Sequence, residues 1–376
     1  MTRLLYFVNI PRFFVSHRLP LALAAQAAGY EVHVATSDAD IFHVEQIQAT
    51  GLPFHPLPLS QHGTRPLAEL QTFRAIVQTY KRLKPDLLPH DSTKPVLYGG
   101  LAARYAGIPA VVSAMSGLGH VFISDSGKVK LIQQGVKPLL KVALAGESRR
   151  MIFQNPDDQA RFIAMGLIKP EQAVLIKGSG VDTSLFKPQP EPDSTPLMLF
   201  AGRLMWQKGL GEFVESARAL QGKARFVVVG YAEASSPDTV PLAQIERWQA
   251  EGLIEYWGKR DDMPAVLAQA QAVILPSSYG EGIPKVLIEA AACGRAIVTT
   301  NSPGCREIVS DSVNGLLVPP GDQAALNQAI LRLIEDPALR QNLGAQGRER
   351  VLQEYDLKII VAQTLALYES LLAKAK

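Results

Sequence analysis

At 376 residues, 47% apolar and 19% charged, the chain has sequence enough for two cored domains and is unlike a disordered polymer. A net charge of +3 argues against a dedicated nucleic-acid binder, and two cysteines, Cys293 and Cys305, are too few for a disulfide framework or a cysteine metal centre. No stretch approaches the roughly 18 apolar residues of a membrane span, and the apolar run in MTRLLYFVNI is too short for a signal peptide; a soluble or peripheral cytoplasmic protein is expected.

The first half alternates strands and helices. Strands are predicted at Leu4 to Val8, Glu31 to Thr36 and Ala110 to Ala114, with a shorter apolar segment at Leu87 and Leu88. Helices are predicted at Leu19 to Ala28, Leu67 to Leu83 and Val96 to Ala106, with another after the second strand; Leu52 to Leu59 is Pro-rich. This rhythm signals a parallel sheet covered on both faces, which binds ligands at the carboxyl ends of its strands. Residues 128–150 interleave Lys128, Lys130, Lys137, Lys141, Arg149 and Arg150 with apolar positions. Such a basic amphipathic helix either lies on an anionic membrane or turns one face to the core and the other to water.

Met151 to Phe153 predicts a further strand. Beyond KGSGVD (Lys177 to Asp182), the run KPQPEPDSTP is the clearest linker, giving a domain at 1–186 and a second at 187–356. The alternation then restarts. Strands are predicted at Leu197 to Ala201, Ala224 to Val229, Ile254 to Tyr256, Ala272 to Leu275, Ala296 to Thr299 and Gly315 to Val318. Helices are predicted at Gly209 to Leu220, Met263 to Gln269, Pro284 to Cys293 and Gln323 to Glu335, and the tail forms two helices broken near Asp356.

The chemistry concentrates in PSSYGEGIPKVLIEAAACG, Pro276 to Gly294. A strand, a glycine-bearing loop and a helix headed by Pro284 make an anion site, because first-turn amides lack intrahelical partners. A diphosphate over Ile283, Lys285 and Val286 would leave Glu289, ~7.5 Å along the axis from Pro284, to chelate ribose hydroxyls. Glu281 would then meet the group on the distal phosphate. Arg203 and Lys208, in GRLMWQKG after the Leu197 strand, would neutralise the diphosphate from the other side. Taken singly, each has a plain alternative as a surface charge. In the first half, His17 with Arg18, His90 with Asp91 and Lys94, and His120 follow three successive strands. Neither a Walker sequence nor a G-x-G-x-x-G after the first strand occurs, and no HExxH or spaced Cys/His set appears, so no protein-held metal or cofactor is expected.

These residues together resemble the retaining glycosyltransferases of the family typified by sucrose synthase (family 4). The carrying residues are Gly202, Arg203, Lys208 and Gly209, Glu281 and Glu289 within EGIPKVLIEAAACG, and the segments GSGVD, SPGCREIV and NGLLVPPGD. SHRLPLA, HDSTKPVLYGGLAARYAGIP and SGLGHVF are most similar to bacterial enzymes that extend polyprenyl-diphosphate-linked sugars. The resemblance implies the α/β GT-B fold: two facing Rossmann-like, doubly wound domains with a cleft between them and a C-terminal helix, 357–376, crossing back to the first. It implies donor binding by Gly202, Arg203, Lys208, Arg260, Glu281, Gly282, Ile283, Pro284, Lys285 and Glu289, with Lys259 also near the base pocket. Arg203, Lys208 and Glu281 would act in catalysis. Acceptor contacts would come from Ser16, His17, Arg18, Lys94, Gly117 and His120. The implied partners are a nucleotide sugar, UDP-linked first among them, a lipid-linked sugar, and the inner-membrane surface through 128–150. The chain departs from the family in having Arg12-Phe13-Phe14-Val15-Ser16 instead of a glycine pair after the first strand, and Ser116 where relatives place a histidine. Two alternatives stand beside this reading: a nucleotide-sugar epimerase of the same fold, which the Arg/Lys plus paired-Glu spacing weighs against, and a non-catalytic sugar-nucleotide-binding scaffold, which the intact Arg203, Lys208, Glu281 and Glu289 disfavour.

Overall fold

The computed structural model describes the chain except residues 60–65, 116–126, 234–235, 279 and 376, and the side chains of 127–134. It divides into two compact units, Met1–Ser179 with Ile360–Lys376, and Gly180–Ile359.

The first unit is a seven-stranded sheet: β1 (Arg3–Val8), β2 (Glu31–Thr36), β3 (Phe54–Pro56), β4 (Leu87–Asp91), β5 (Ala110–Ala114), β6 (Arg149–Phe153) and β7 (Ala173–Leu175). Its order is β3-β2-β1-β4-β5-β6-β7 with every pairing parallel. The second unit has β8 (Leu197–Arg203), β9 (Arg225–Tyr231), β10 (Glu255–Tyr256), β11 (Ala272–Leu275), β12 (Ala296–Thr300) and β13 (Leu316–Val318). Their order is β10-β9-β8-β11-β12-β13, again all parallel. The central strands are buried on both faces, as helix-covered parallel sheets require, and β1 and β11 are almost wholly apolar runs.

Strand order reverses once in each sheet, between β1 and β4 and between β8 and β11. There the following connections leave toward opposite faces and open a crevice at the carboxyl ends. Both candidate sites stand at these reversals.

The last helix, Leu357–Ala375, places Tyr368 and Leu371 in the first unit's core with Leu4, Tyr6 and Leu87. Three expectations need correction. Val96 to Ala106 is not one α-helix: Pro95–Gly99 is a π-turn, and α-geometry begins at Gly100. A second π-turn, Phe14–Arg18, follows β1. Pro284 is not the first helical residue but the N-cap of Lys285–Ala292, its ψ of 118° being extended. Residues 128–150 are not one amphipathic helix: Gly127–Leu144 is helical, and Arg149 starts β6 as a buried side chain donating to Gly100 O at 3.0 Å. The short strands β3 and β7 and the helices Pro156–Ala164, Leu242–Ala250 and Cys305–Ile308 were not anticipated.

Candidate active site

In the second unit, β8 delivers Arg203 at its last residue and a 3-10 turn, Trp206–Lys208, immediately after it. β11 delivers the loop holding Glu281. The two loops are stitched at Gln207, whose carbonyl accepts from Ser278 N at 2.9 Å. Gly209 permits this approach: it sits at φ 80°, and a Cβ there would lie 2.3 Å from Pro276 O. The result is a buried ion pair at the crevice, with Lys208 Nζ 3.0 Å from Glu281 Oε1 and 3.1 Å from Oε2. Ser277 Oγ donates to Glu281 Oε1 at 3.4 Å. Thr300 and Ser302 hydroxyls both bond Ser277 O, fastening this loop to β12. Gly304 supports the loop from below; at φ 83° a Cβ would sit 2.1 Å from Gly282 O.

Arg203 pairs with Glu233 at 3.2 Å, just beyond β9. Glu289 is buried on the Lys285–Ala292 helix, 3.4 Å from Lys285 Nζ. Burial pushes its carboxyl above the usual range, while Lys285 pulls it back. Gly202 lies beside Lys208, a Cβ there meeting Cδ and Nζ at 3.8 Å. Gly282, Ile283 and Pro284 form the link into the helix. Arg260 is exposed in a forked ion pair with Asp262 at 2.7 and 2.5 Å, and Lys259 pairs with Asp261 at 3.3 Å. Lys208 and Glu281 are thus in contact, while Arg203, Glu289 and Arg260 each hold a separate partner.

In the first unit, Arg18 on its π-turn and Asp91 at the end of β4 form a buried ion pair. Ser16 Oγ is 2.7 Å from His17 Nδ1, and His17 stacks on Phe13 at 4.4 Å. Lys94 binds Glu69 from the helix Pro66–Leu83 at 2.8 Å. Gly117 and His120 lie outside the described residues. His90 belongs to the core: its Nε2 is 2.9 Å from Tyr80 Oη, and burial, with Arg149 adding to it, holds its pKa at about 3. Alternation along β4 explains this, sending His90 to the face with Tyr80 and Asp91 to the face with Arg18.

Sequence reasoning missed Glu233 as the partner of Arg203, although its place two residues past β9 was a usable signal. It missed Tyr6, Gln154, Thr364 and Tyr368 around Arg18 and Asp91, which no local spacing connects. Among the described residues no group of three His, Cys, Asp or Glu is arranged to hold a metal, and no helix is long and apolar enough to cross a membrane.

Two doubly wound parallel units with charged pairs at their strand-order reversals define a two-domain α/β architecture that handles ligands at strand ends. Residues 195–336 match the model of glycosyl transferases group 1, and residues 3–155 match that of glycosyl transferase 4-like domains. A Campylobacter jejuni N,N'-diacetylbacillosaminyl-diphospho-undecaprenol alpha-1,3-N-acetylgalactosaminyltransferase is 30% identical over 365 residues, 94% of each chain. An Escherichia coli UDP-Gal:alpha-D-GlcNAc-diphosphoundecaprenol alpha-1,3-galactosyltransferase is 26% identical, covering 73% of this chain and 74% of its own. Among solved structures, sucrose-phosphate synthase from Thermosynechococcus elongatus superposes with TM-score 0.80 at 22% identity over both full chains. Anabaena HepE in complex with UDP gives TM-score 0.78 at 22% identity over 98% of this chain and all of its own. The chain belongs to the group 1 glycosyltransferases, and its fold is GT-B.

Proposed function

We propose that this protein transfers a sugar from a nucleotide diphosphate sugar, UDP-linked first, to a sugar hydroxyl on a polyprenyl-diphosphate carrier, with retention at the anomeric carbon. The observation that carries the reading is the Lys208–Glu281 pair at the β8/β11 reversal, joining a cation suited to a diphosphate to a carboxylate able to take sugar hydroxyls. The diphospho-undecaprenol acceptors of the two lipid-linked transferases support the acceptor class, and the UDP-Gal of the Escherichia coli enzyme supports the donor class.

In this reading Lys208 and Arg203 take the diphosphate, Glu281 holds the donor sugar and Glu289 takes the ribose. The bond from the anomeric carbon to the diphosphate oxygen breaks while the acceptor oxygen bonds to the same face. The acceptor's proton passes to the leaving diphosphate, so no strong protein base is needed. The cations supply much of the rate because charge on the diphosphate grows as the bond breaks. No metal takes part. Arg260 and Lys259 lie toward the base, and Gly202, Gly282, Ile283, Pro284 and Lys285 shape the diphosphate and sugar subsites. Ser16, His17, Arg18, Lys94, Gly117 and His120 serve the acceptor side.

The protein works as a peripheral enzyme on the inner face of the cytoplasmic membrane. The helix Gly127–Leu144 supports this by exposing Leu139 and Val142 beside Lys141 while burying Leu140, Ala143 and Leu144.

The test is nucleotide release from a donor panel with a polyprenyl-diphosphate sugar, with and without EDTA, and NMR of the product's anomeric proton. Acceptor-dependent release that survives EDTA, with the donor's configuration kept, is expected. Absence of release with every pairing refutes the transfer; an inverted product refutes retention.

A further inference from the structure

Lys208 stands on a turn that is held from two sides. Gln207, the residue before it, accepts from Ser278 N of the β11 loop at 2.9 Å and donates its own N–H to Asp238 Oδ2 at 3.1 Å. Asp238 belongs to the connection between β9 and the helix Leu242–Ala250, on the side of β8 away from the reversal. Its carbonyl also accepts from Trp206 N at 3.0 Å. One residue thus receives the first two amides of the Trp206–Lys208 turn, as an aspartate does at a helix start.

The connection is itself braced against β8. Val240 N donates to Leu204 O at 2.8 Å, and Met205 pairs with Thr239 in an antiparallel bridge. Ser236 N and Thr239 Oγ1 donate to Glu233 O at 2.9 and 2.6 Å, folding the segment back onto the partner of Arg203. The amides of Lys208 and Gly209 go to Met205 O at 3.2 Å and Trp206 O at 2.9 Å. All four amides from Trp206 to Gly209 therefore have acceptors within the chain, and the turn presents its lysine side chain, rather than its backbone, to a diphosphate. A 3-10 turn has poor hydrogen-bond geometry of its own, so the outside acceptor decides how it sits. The ammonium lies at the end of a four-carbon stem, where a small tilt of the turn displaces it, and a misplacement of ~1 Å can cost a reaction about a hundredfold.

We propose that Asp238 is a positioning residue for sugar transfer: by capping the Trp206–Lys208 turn it holds the Lys208 ammonium where the leaving diphosphate gathers charge. The inference rests on the proposed role of Lys208 and adds the group, outside the Lys208–Glu281 pair, on which that role depends.

The test is a double-mutant cycle in the full-length protein. Asp238→Ala removes the acceptor from Gln207 N–H and should lower kcat/KM for the UDP-sugar about tenfold, the scale of a lost hydrogen bond to a charged group. Asp238→Asn keeps an oxygen at that place and should bring kcat/KM back to within about threefold of the unmodified protein. In a Lys208→Met background Asp238→Ala should cost less than about twofold, because no ammonium is left to misplace. Calorimetric UDP titration should follow the same pattern, with about threefold or more lost on Asp238→Ala only where Lys208 is present. An equal loss in both backgrounds would overturn the proposal, since a purely structural role is blind to Lys208. So would a folded Asp238→Ala protein with unchanged kcat/KM, or a loss that Asp238→Asn does not restore. If Asp238→Ala fails to fold, Asp238→Glu, which keeps the charge and moves the acceptor by one methylene, takes its place in the cycle with the same expectations. A folded Lys208→Met protein with normal turnover and UDP affinity would refute the donor reading and this inference with it. A Lys208→Met loss that is not coupled to Asp238 would refute only the positioning role.

Discussion

Replacing Lys208 by Met tests the proposed donor site most directly, because it keeps the stem and deletes the charge. Unit charges ~4 Å apart at an effective dielectric of about 20 attract by about 4 kcal/mol, an upper figure for a Lys208–diphosphate contact. That cation is already held by Glu281 at 3.0 and 3.1 Å, so diphosphate must share it and the net gain is smaller. The range for charge-assisted hydrogen bonds, about 1.5–3 kcal/mol, corresponds to roughly 10–150-fold in UDP affinity. Turnover should fall at least about tenfold, since the same contact strengthens as the leaving group gains charge. The substitution also strands a mostly buried Glu281, so the melting temperature should drop. Adding Glu281→Gln removes that stranded charge and should recover stability and part of the UDP affinity, a coupling of about 0.5–3 kcal/mol, without recovering turnover. Calorimetric UDP titration, thermal melting and steady-state rates on the three variants measure this cycle. A folded Lys208→Met protein with UDP affinity and turnover within about threefold of the unmodified enzyme would refute the assigned role.

Gly304→Ala adds a Cβ 2.1 Å from Gly282 O and 2.6 Å from Glu281 O, at a φ of 83°. The loop must move, so turnover should fall about tenfold or more, with about 1–3 kcal/mol lost in denaturant unfolding, whereas Gly222→Ala, with no heavy atom within 4 Å of its Cβ, should leave turnover intact. His90 should govern part of the acid limb of stability. Its folded pKa of about 3 lies below the ordinary 6.5, so its contribution is complete above the unfolded value and is lost as pH falls toward the folded one. Between about pH 7 and 5 the stability advantage over His90→Gln should shrink by about 2 kcal/mol. His55, held at about 4 chiefly by burial, acts in the same direction, and buried Asp91 opposes it, but neither is altered by the substitution. A gap that stays constant on chemical denaturation at both pH values would contradict the His90 account.

The central strands were legible because unbroken runs such as LLYFV and AVIL have no arrangement in water other than burial on both faces. Edge strands such as Phe54–Pro56 and Ala173–Leu175 were not, since short, half-exposed segments lack both periodicity and length. The grouping of Lys208 with Glu281 was legible for a geometric reason. Arg203, Lys208 and Glu281 each follow a strand end closely, so position along the chain already fixed their end of the sheet. Their actual partners were not, because Glu233 reaches Arg203 through strand order, which sequence spacing does not encode.

The first unit shows the same limit more sharply. Arg18 and Asp91 are 73 positions apart, and Tyr368 reaches Tyr6 across 362. Only the order β2-β1-β4-β5 puts the ends of β1 and β4 side by side, and only the return of the last helix roofs them. Within β4 the adjacent residues His90 and Asp91 turn to opposite faces, one to Tyr80 and the other to Arg18, and alternation alone decides which is which. The two units thus repeat one physical device, a lysine or arginine after one strand paired with a carboxylate at or beyond the end of its neighbour across the reversal.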